Sequence, residues 1–149
     1  MNYTACITST RSIEESYKAI TEDISNWWTP MSAKFLTIGD QAKTDFGVES
    51  YWVFEAKTLS PNSLIELLCI DSHMIGDFVK DPQEWRDTTL RFDIKKEGTN
   101  GSRITLTHVG LTPKMPCWDV CKKGWGHYIL GSLQDYLDGK GGTPNSNEN

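Results

Sequence analysis

Thr88-Thr89-Leu90-Arg91-Phe92-Asp93-Ile94-Lys95-Lys96-Glu97-Gly98-Thr99-Asn100-Gly101-Ser102-Arg103-Ile104-Thr105-Leu106-Thr107-His108-Val109 reads as two strands joined by a turn. Leu90, Phe92 and Ile94 alternate with Thr89, Arg91, Asp93 and Lys95. Ile104, Leu106 and His108 alternate with Arg103, Thr105 and Thr107. A period of two puts each set on one face of a strand. Gly98-Thr99-Asn100-Gly101 has the chemistry of a hairpin turn. One face of the hairpin is apolar and the other polar, so the sheet is covered on one side only.

The same period runs upstream. From Phe35 onward, Trp52, Phe54 and Ala56 alternate with Tyr51, Val53 and Glu55, and Ser60-Pro61-Asn62-Ser63 turns the chain into Leu64–Ile70. Successive hairpins make an antiparallel sheet. Residues 3–9 form a further short strand. Ser12-Ile13-Glu14-Glu15 is a capping box, in which the Ser12 hydroxyl accepts from the Glu15 amide and Glu15 reaches back to the Ser12 amide. Ile13, Tyr17, Ile20 and Ile24 then follow at helical spacing, which predicts a helix to about Glu22. A further turn carries Trp27 and Trp28 and ends at Thr29-Pro30.

The cover for the sheet comes last. Trp118, Cys121, Trp125, Tyr128, Ile129, Ser132, Leu133 and Tyr136 fall on one helical face. The spacing predicts a helix over 115–138, with Pro116 at its first position, Asp119 in its first turn and Gly139 at its end. Gly124, Gly126 and Gly131 lie inside it, where each costs up to about 1 kcal/mol relative to alanine. Close packing on the sheet or room for a ligand would offset that. Residues 139–149 are mostly Gly, Asn, Ser and Pro with almost nothing apolar, so a disordered tail is expected after a domain spanning 1–138.

Composition narrows the function classes. A net charge of −5 and a sequence pI near 5.1 oppose binding to phosphate backbones and anionic lipid. Only Lys95-Lys96 and Lys122-Lys123 place basic residues side by side. No nucleic-acid or membrane partner is expected. The N-terminus carries no signal peptide and no stretch nears the roughly 20 apolar residues of a spanning helix, so the expected location is cytoplasmic and the four cysteines are expected reduced. No nucleophile elbow, phosphate-cradling glycine loop or dinucleotide fingerprint occurs, so no cofactor is expected.

In combination, several segments resemble the START-like, or SRPBCC, helix-grip superfamily, and within it the domain related to the activator of the heat-shock-protein-90 ATPase. They are Trp27-Trp28 after the first helix, Glu84-Trp85 before Thr88-Thr89-Leu90-Arg91-Phe92, Ser102 to Leu111, and Gly124-Trp125 followed by Ser132-Leu133. The resemblance covers roughly residues 3–138. It implies an α+β fold in which a curved antiparallel sheet wraps a long C-terminal helix, with a pocket between them. Relatives bind lipids, hormones or polyketides, a minority are cyclases or hydrolases, and the eponymous members stimulate a chaperone ATPase. The implied partners are a small apolar ligand, a chaperone, or a second copy in a weak homodimer. Within these residues there is no additional chaperone-binding domain, which favours the ligand-binding expectation.

The candidate ligand-binding residues are Trp52, Phe54, Trp85, Phe92, His108, Trp125 and Tyr128. Six tryptophans are either a bulky core or the walls of a cavity. Trp118 and Trp125, seven apart, share the helix face toward the sheet. His108 lies on the apolar strand face, either satisfied by a local partner or orienting a ligand together with the Tyr128 hydroxyl. Cys117 and Cys121 are four apart and with His73, His108 or His127 would make a zinc site, but no second close-spaced ligand pair accompanies them. They read as core thiols, with no metal expected and no catalytic residue assigned. Met74–Asp87, with Met74, Ile75, Phe78, Val79 and Trp85, is long enough for a lid. Glu49, Glu55, Glu66, Asp71 and Glu84 read as a solvated face.

Overall fold

The computed structural model describes residues 1–46, 49–76 and 81–145. Phe78 and Val79 of the expected lid lie outside them. The described chain forms β1 (Tyr3–Ser9), α1 (Ile13–Thr21), a 3-10 turn (Ile24–Asn26), β2 (Gln41–Asp45), β3 (Tyr51–Ser60), β4 (Leu64–His73), β5 (Thr89–Glu97), β6 (Gly101–Val109) and a C-terminal helix. The sheet order is β1-β6-β5-β4-β3-β2 and each neighbouring pair is antiparallel. This is the α+β helix-grip arrangement that the sequence implies.

The register explains the single apolar face. Leu90 pairs with His108, Phe92 with Leu106 and Ile94 with Ile104, and all six are buried. β3 and β4 slip register at Val53/Phe54 and again at Ala56/Thr58. Such bulges bend a strand and increase its twist, which curls the sheet around the helix. The helix packs on this face, since Trp125 reaches His108 and is 2% exposed. β2 is the edge strand that the sequence leaves illegible. Only Ala42 and Thr44 of Gln41–Asp45 are buried, so its pattern carries little hydrophobic contrast.

α1 starts as expected at Ser12, whose hydroxyl accepts from the Glu15 amide at 3.1 Å. The reciprocal half differs. The Ser12 hydroxyl donates to Glu15 Oε1 at 3.2 Å, in place of the carboxylate reaching the Ser12 amide. α1 is tied to the sheet by the Ser16 and Ser102 hydroxyls, 2.6 Å apart and fully buried.

The C-terminal helix departs from regularity. It begins at Trp118, with α2 spanning Trp118–Trp125, later than the expected start near residue 115. It widens to a π-helical segment over Gly126–Leu133 and closes with α3, Gln134–Leu137. A Cβ placed on Gly124, Gly126 or Gly131 would meet nothing within 4 Å. Close approach to the sheet therefore does not account for these glycines. Gly126 and Gly131 fall within the π segment, a feature often found beside functional sites.

The segment after Gly139, expected to be disordered, is bonded to the domain as far as Asn145. Ser132 Oγ donates to the Trp27 carbonyl at 2.6 Å and accepts from the Thr143 amide at 2.7 Å. The Asn145 amide donates to the Trp28 carbonyl at 2.6 Å. Gly142 crosses so closely that a Cβ there would collide with the Asn26 carbonyl oxygen. Among the described residues no helix is long and apolar enough to cross a membrane.

Candidate functional site

The tryptophans meet at one end of the grip. Trp52 points inward from β3 by strand alternation, with Phe54 and Ala56 beside it. Trp85 arrives from the turn before β5. There Asp87 takes a φ of 70°, an uncommon left-handed conformation for a residue other than glycine. Its amide donates to the Cys69 carbonyl at 2.8 Å, which holds that turn against β4. Trp85 and Trp52 stack face to face at 3.9 Å and 7°. Phe46 stacks on Trp52 at 3.7 Å. Trp28 approaches Trp125 at 4.8 Å and Trp52 at 5.8 Å.

These rings border a cleft of about 180 Å³ between the sheet and α2. Trp28, Trp52, Trp85 and Trp125 form its aromatic wall. Phe46, Met74 and Tyr128 extend it, and Val120, Cys121 and Gly124 are contributed by one side of α2. Gly124 thus adjoins the space that a side chain would occupy. Tyr128 is half-buried, and burial raises its phenol above the usual range.

Four expected residues, Trp52, Trp85, Trp125 and Tyr128, come together on this cleft. The other three lie behind its wall and are fully buried. Phe54 sits under Trp28 and Trp52, at 5.6 and 6.3 Å between ring centres. Phe92 packs edge-on to Trp27, whose indole donates to the Ala19 carbonyl at 2.8 Å.

His108 is a core residue with both nitrogens engaged. Trp125 Nε1 donates to its Nδ1 at 3.0 Å. An indole only donates, so Nδ1 must accept and the ring proton sits on Nε2. Nε2 then donates to Thr88 Oγ1 at 2.8 Å, and Thr88 donates onward to the Trp85 carbonyl at 2.6 Å. Burial holds the His108 pKa down, to about 3, so the imidazole is neutral near pH 7. No lone pair remains for a ligand or for proton transfer. Its work is to lock the two wall tryptophans to each other.

Sequence reasoning missed Phe46 and the role of Glu84. Phe46 follows the polar edge strand, and its contact with Trp52 is made by folding alone. Glu84 is 8% exposed, contrary to a solvated face. Its Oε1 accepts from the Cys117 amide at 2.8 Å, capping the start of α2 where the helix dipole favours a negative charge. Glu84 Oε2 and Trp52 Nε1 are the buried side-chain atoms without a hydrogen-bond partner among the described residues. Cys121 Sγ accepts from Trp85 Nε1 at 3.3 Å. The histidines are dispersed: His73 stacks on Tyr51 at 5.5 Å, and His127 approaches the Thr143 carbonyl at 3.4 Å. Among the described residues no three His, Cys, Asp or Glu side chains gather as metal ligands would.

No family model matches the chain, and no curated protein matches it significantly. Solved structures do. The Aha1 dimer from Colwellia psychrerythraea is similar with a TM-score of 0.74 and 23% identity, over 94% of this chain and 98% of that one. DynU16, a putative protein in the dynemicin biosynthetic locus, gives 0.71 and 15% over 92% of this chain and 47% of that one. Protein MLL2253 from Mesorhizobium loti gives 0.69 and 15% over 91% and 97%. Agreement across nearly the whole chain gives this chain the same α+β helix-grip fold as these structures.

Proposed function

We propose that the chain binds one small, flat, largely apolar molecule in the cleft between the tryptophan wall and α2. The observation that carries this reading is unfilled space of about 180 Å³ beside aromatic rings and a helix glycine. Interiors otherwise pack to crystal-like density with few voids larger than water. An apolar cavity of about 150 Å³ suffices for benzene. One or two fused rings therefore suit this cleft. Trp52 Nε1 supports a single acceptor atom on the ligand, since a buried unpaired donor costs about 1–3 kcal/mol.

The test is calorimetric titration with 2-naphthol, which has a flat body and one oxygen. Saturable one-to-one binding, weakened in Trp125→Ala, is expected. Heats no larger than those of dilution would reject the reading.

Self-association is a second reading, favoured by the dimer formed by the Colwellia protein of this fold. Leu36 and Ile38 are exposed just before the edge strand β2 and suit such a contact. Sedimentation across a wide concentration range tests it. A dimer dispersed by Leu36→Glu supports it, and a monomer throughout rejects it.

A further inference from the structure

One group on the cleft has chemistry beyond packing. Cys121 Sγ faces the cleft and accepts the Trp85 indole proton at 3.3 Å. Cys117 stands one helical turn earlier, with its amide on Glu84 Oε1 at 2.8 Å. Interaction with the Cys121 sulfur, together with burial, pushes its thiol pKa far up. Cys121 is lowered by its interaction with Cys117 and by the Trp85 donation, against burial and the Glu84 charge. Of the two thiols, Cys121 is the one on the cleft and the one that accepts the Trp85 indole proton. Cys69 shows the ordinary case, with burial pushing its thiol up to about 12. The negative Glu84 carboxylate near the pair opposes ionisation of both thiols.

We propose that Cys121 captures α,β-unsaturated carbonyl compounds that enter the cleft, forming a covalent thioether. The inference rests on the small-ligand reading and adds the ligand's reactive group. The Cys121 thiol loses its proton to water at the cleft, and the Trp85 indole N–H holds the resulting thiolate. The sulfur pair bonds to the β-carbon, and the C=C π pair moves to the α-carbon as an enolate. That carbon then takes a proton from water, which balances the one released. The net change is addition of S–H across C=C, with no oxidant or second reactant. The Trp85 donor on the sulfur favours the thiolate, and the thiolate is the nucleophile.

The probe is N-phenylmaleimide, flat and apolar, applied to the full chain below one equivalent, with intact mass and peptide mapping as readout. Labelling at Cys121 ahead of the exposed Cys6, slowed by excess 2-naphthol, is expected. Trp85→Phe should slow it about tenfold, the effect of one hydrogen bond to a charged group, and move the pH–rate midpoint upward. Cys117→Ala should shift the midpoint the same way and serves if Trp85→Phe does not fold. Labelling of Cys121 only in denaturant overturns the proposal. So does equal labelling by iodoacetamide without protection by 2-naphthol, which marks a merely accessible thiol. If 2-naphthol binds while Cys121 stays inert, capture fails and the binding reading stands. If neither occurs, both fail.

Discussion

Trp52 on β3 and Trp85 in the turn before β5 lie face to face, 3.9 Å apart and 7° from parallel. The pair joins two distant parts of the chain and builds one side of the cleft. Trp85 also donates to Cys121 and, through Thr88, is linked to His108 and Trp125. Trp85→Ala should therefore cost about 3–5 kcal/mol, the range for a buried tryptophan truncated in a core. Urea unfolding measures it. A loss under 1 kcal/mol would show that the stack is not a structural joint.

Gly124→Leu separates space from packing. A Cβ there meets nothing within 4 Å, and glycine in a helix is about 1 kcal/mol worse than alanine. The variant should melt at or above the wild-type temperature and lose 2-naphthol binding. A fall of stability by 1–3 kcal/mol, typical of overpacking, would mean that the cleft is closed in solution.

His108 sets a pH dependence. Its folded pKa, about 3, lies below the ordinary 6.5 because of burial. The unfolded chain therefore binds a proton that the native chain does not. The contribution is fully present above about pH 6.5 and is lost as pH falls toward 3, at up to about 1.4 kcal/mol per unit. His108→Gln keeps a donor and an acceptor without titrating. Wild type should lose about 1.6 kcal/mol more than this variant between pH 6.5 and 5, by urea unfolding. Parallel losses would place a charged or exposed histidine there.

Much of the architecture is legible in the chain because it rests on period. Leu90-Phe92-Ile94 against Ile104-Leu106-His108, and the stripe from Trp118 to Tyr136, each declare one buried face. The site is less legible because it depends on contacts between elements. Trp27 and Trp28 are neighbours in sequence, yet Trp27 enters the deep core and Trp28 the cleft wall. His108 and Trp52 share the inward-facing pattern, but the depth of each is set by the helix above it. Glu84 looks like any surface carboxylate until the start of α2 is placed against it. The π segment has no periodic signature over eight residues.

The tail supplies a fourth prediction. Thr143 and Asn145 bond to Ser132 and to the Trp28 carbonyl, so residues 139–145 brace the segment that carries the cleft wall. Removing residues 139–149 should lower stability by about 1–2 kcal/mol, a few hydrogen bonds' worth, and weaken 2-naphthol binding. Calorimetry and thermal melting on the shortened chain check both. Unchanged binding would mean that the brace has no bearing on the site.

The cleft as a binding site is tested most directly by the indole N–H resonances of the six tryptophans during a 2-naphthol titration. Trp28, Trp52, Trp85 and Trp125 border the cleft, whereas Trp27 is bonded to Ala19 in the deep core and Trp118 packs edge-on to Tyr3. The account predicts saturable shifts of the first four, with Trp52 moving as its unpaired N–H gains an acceptor, and still signals for Trp27 and Trp118. Six unmoved resonances, or shifts confined to Trp118, would contradict it.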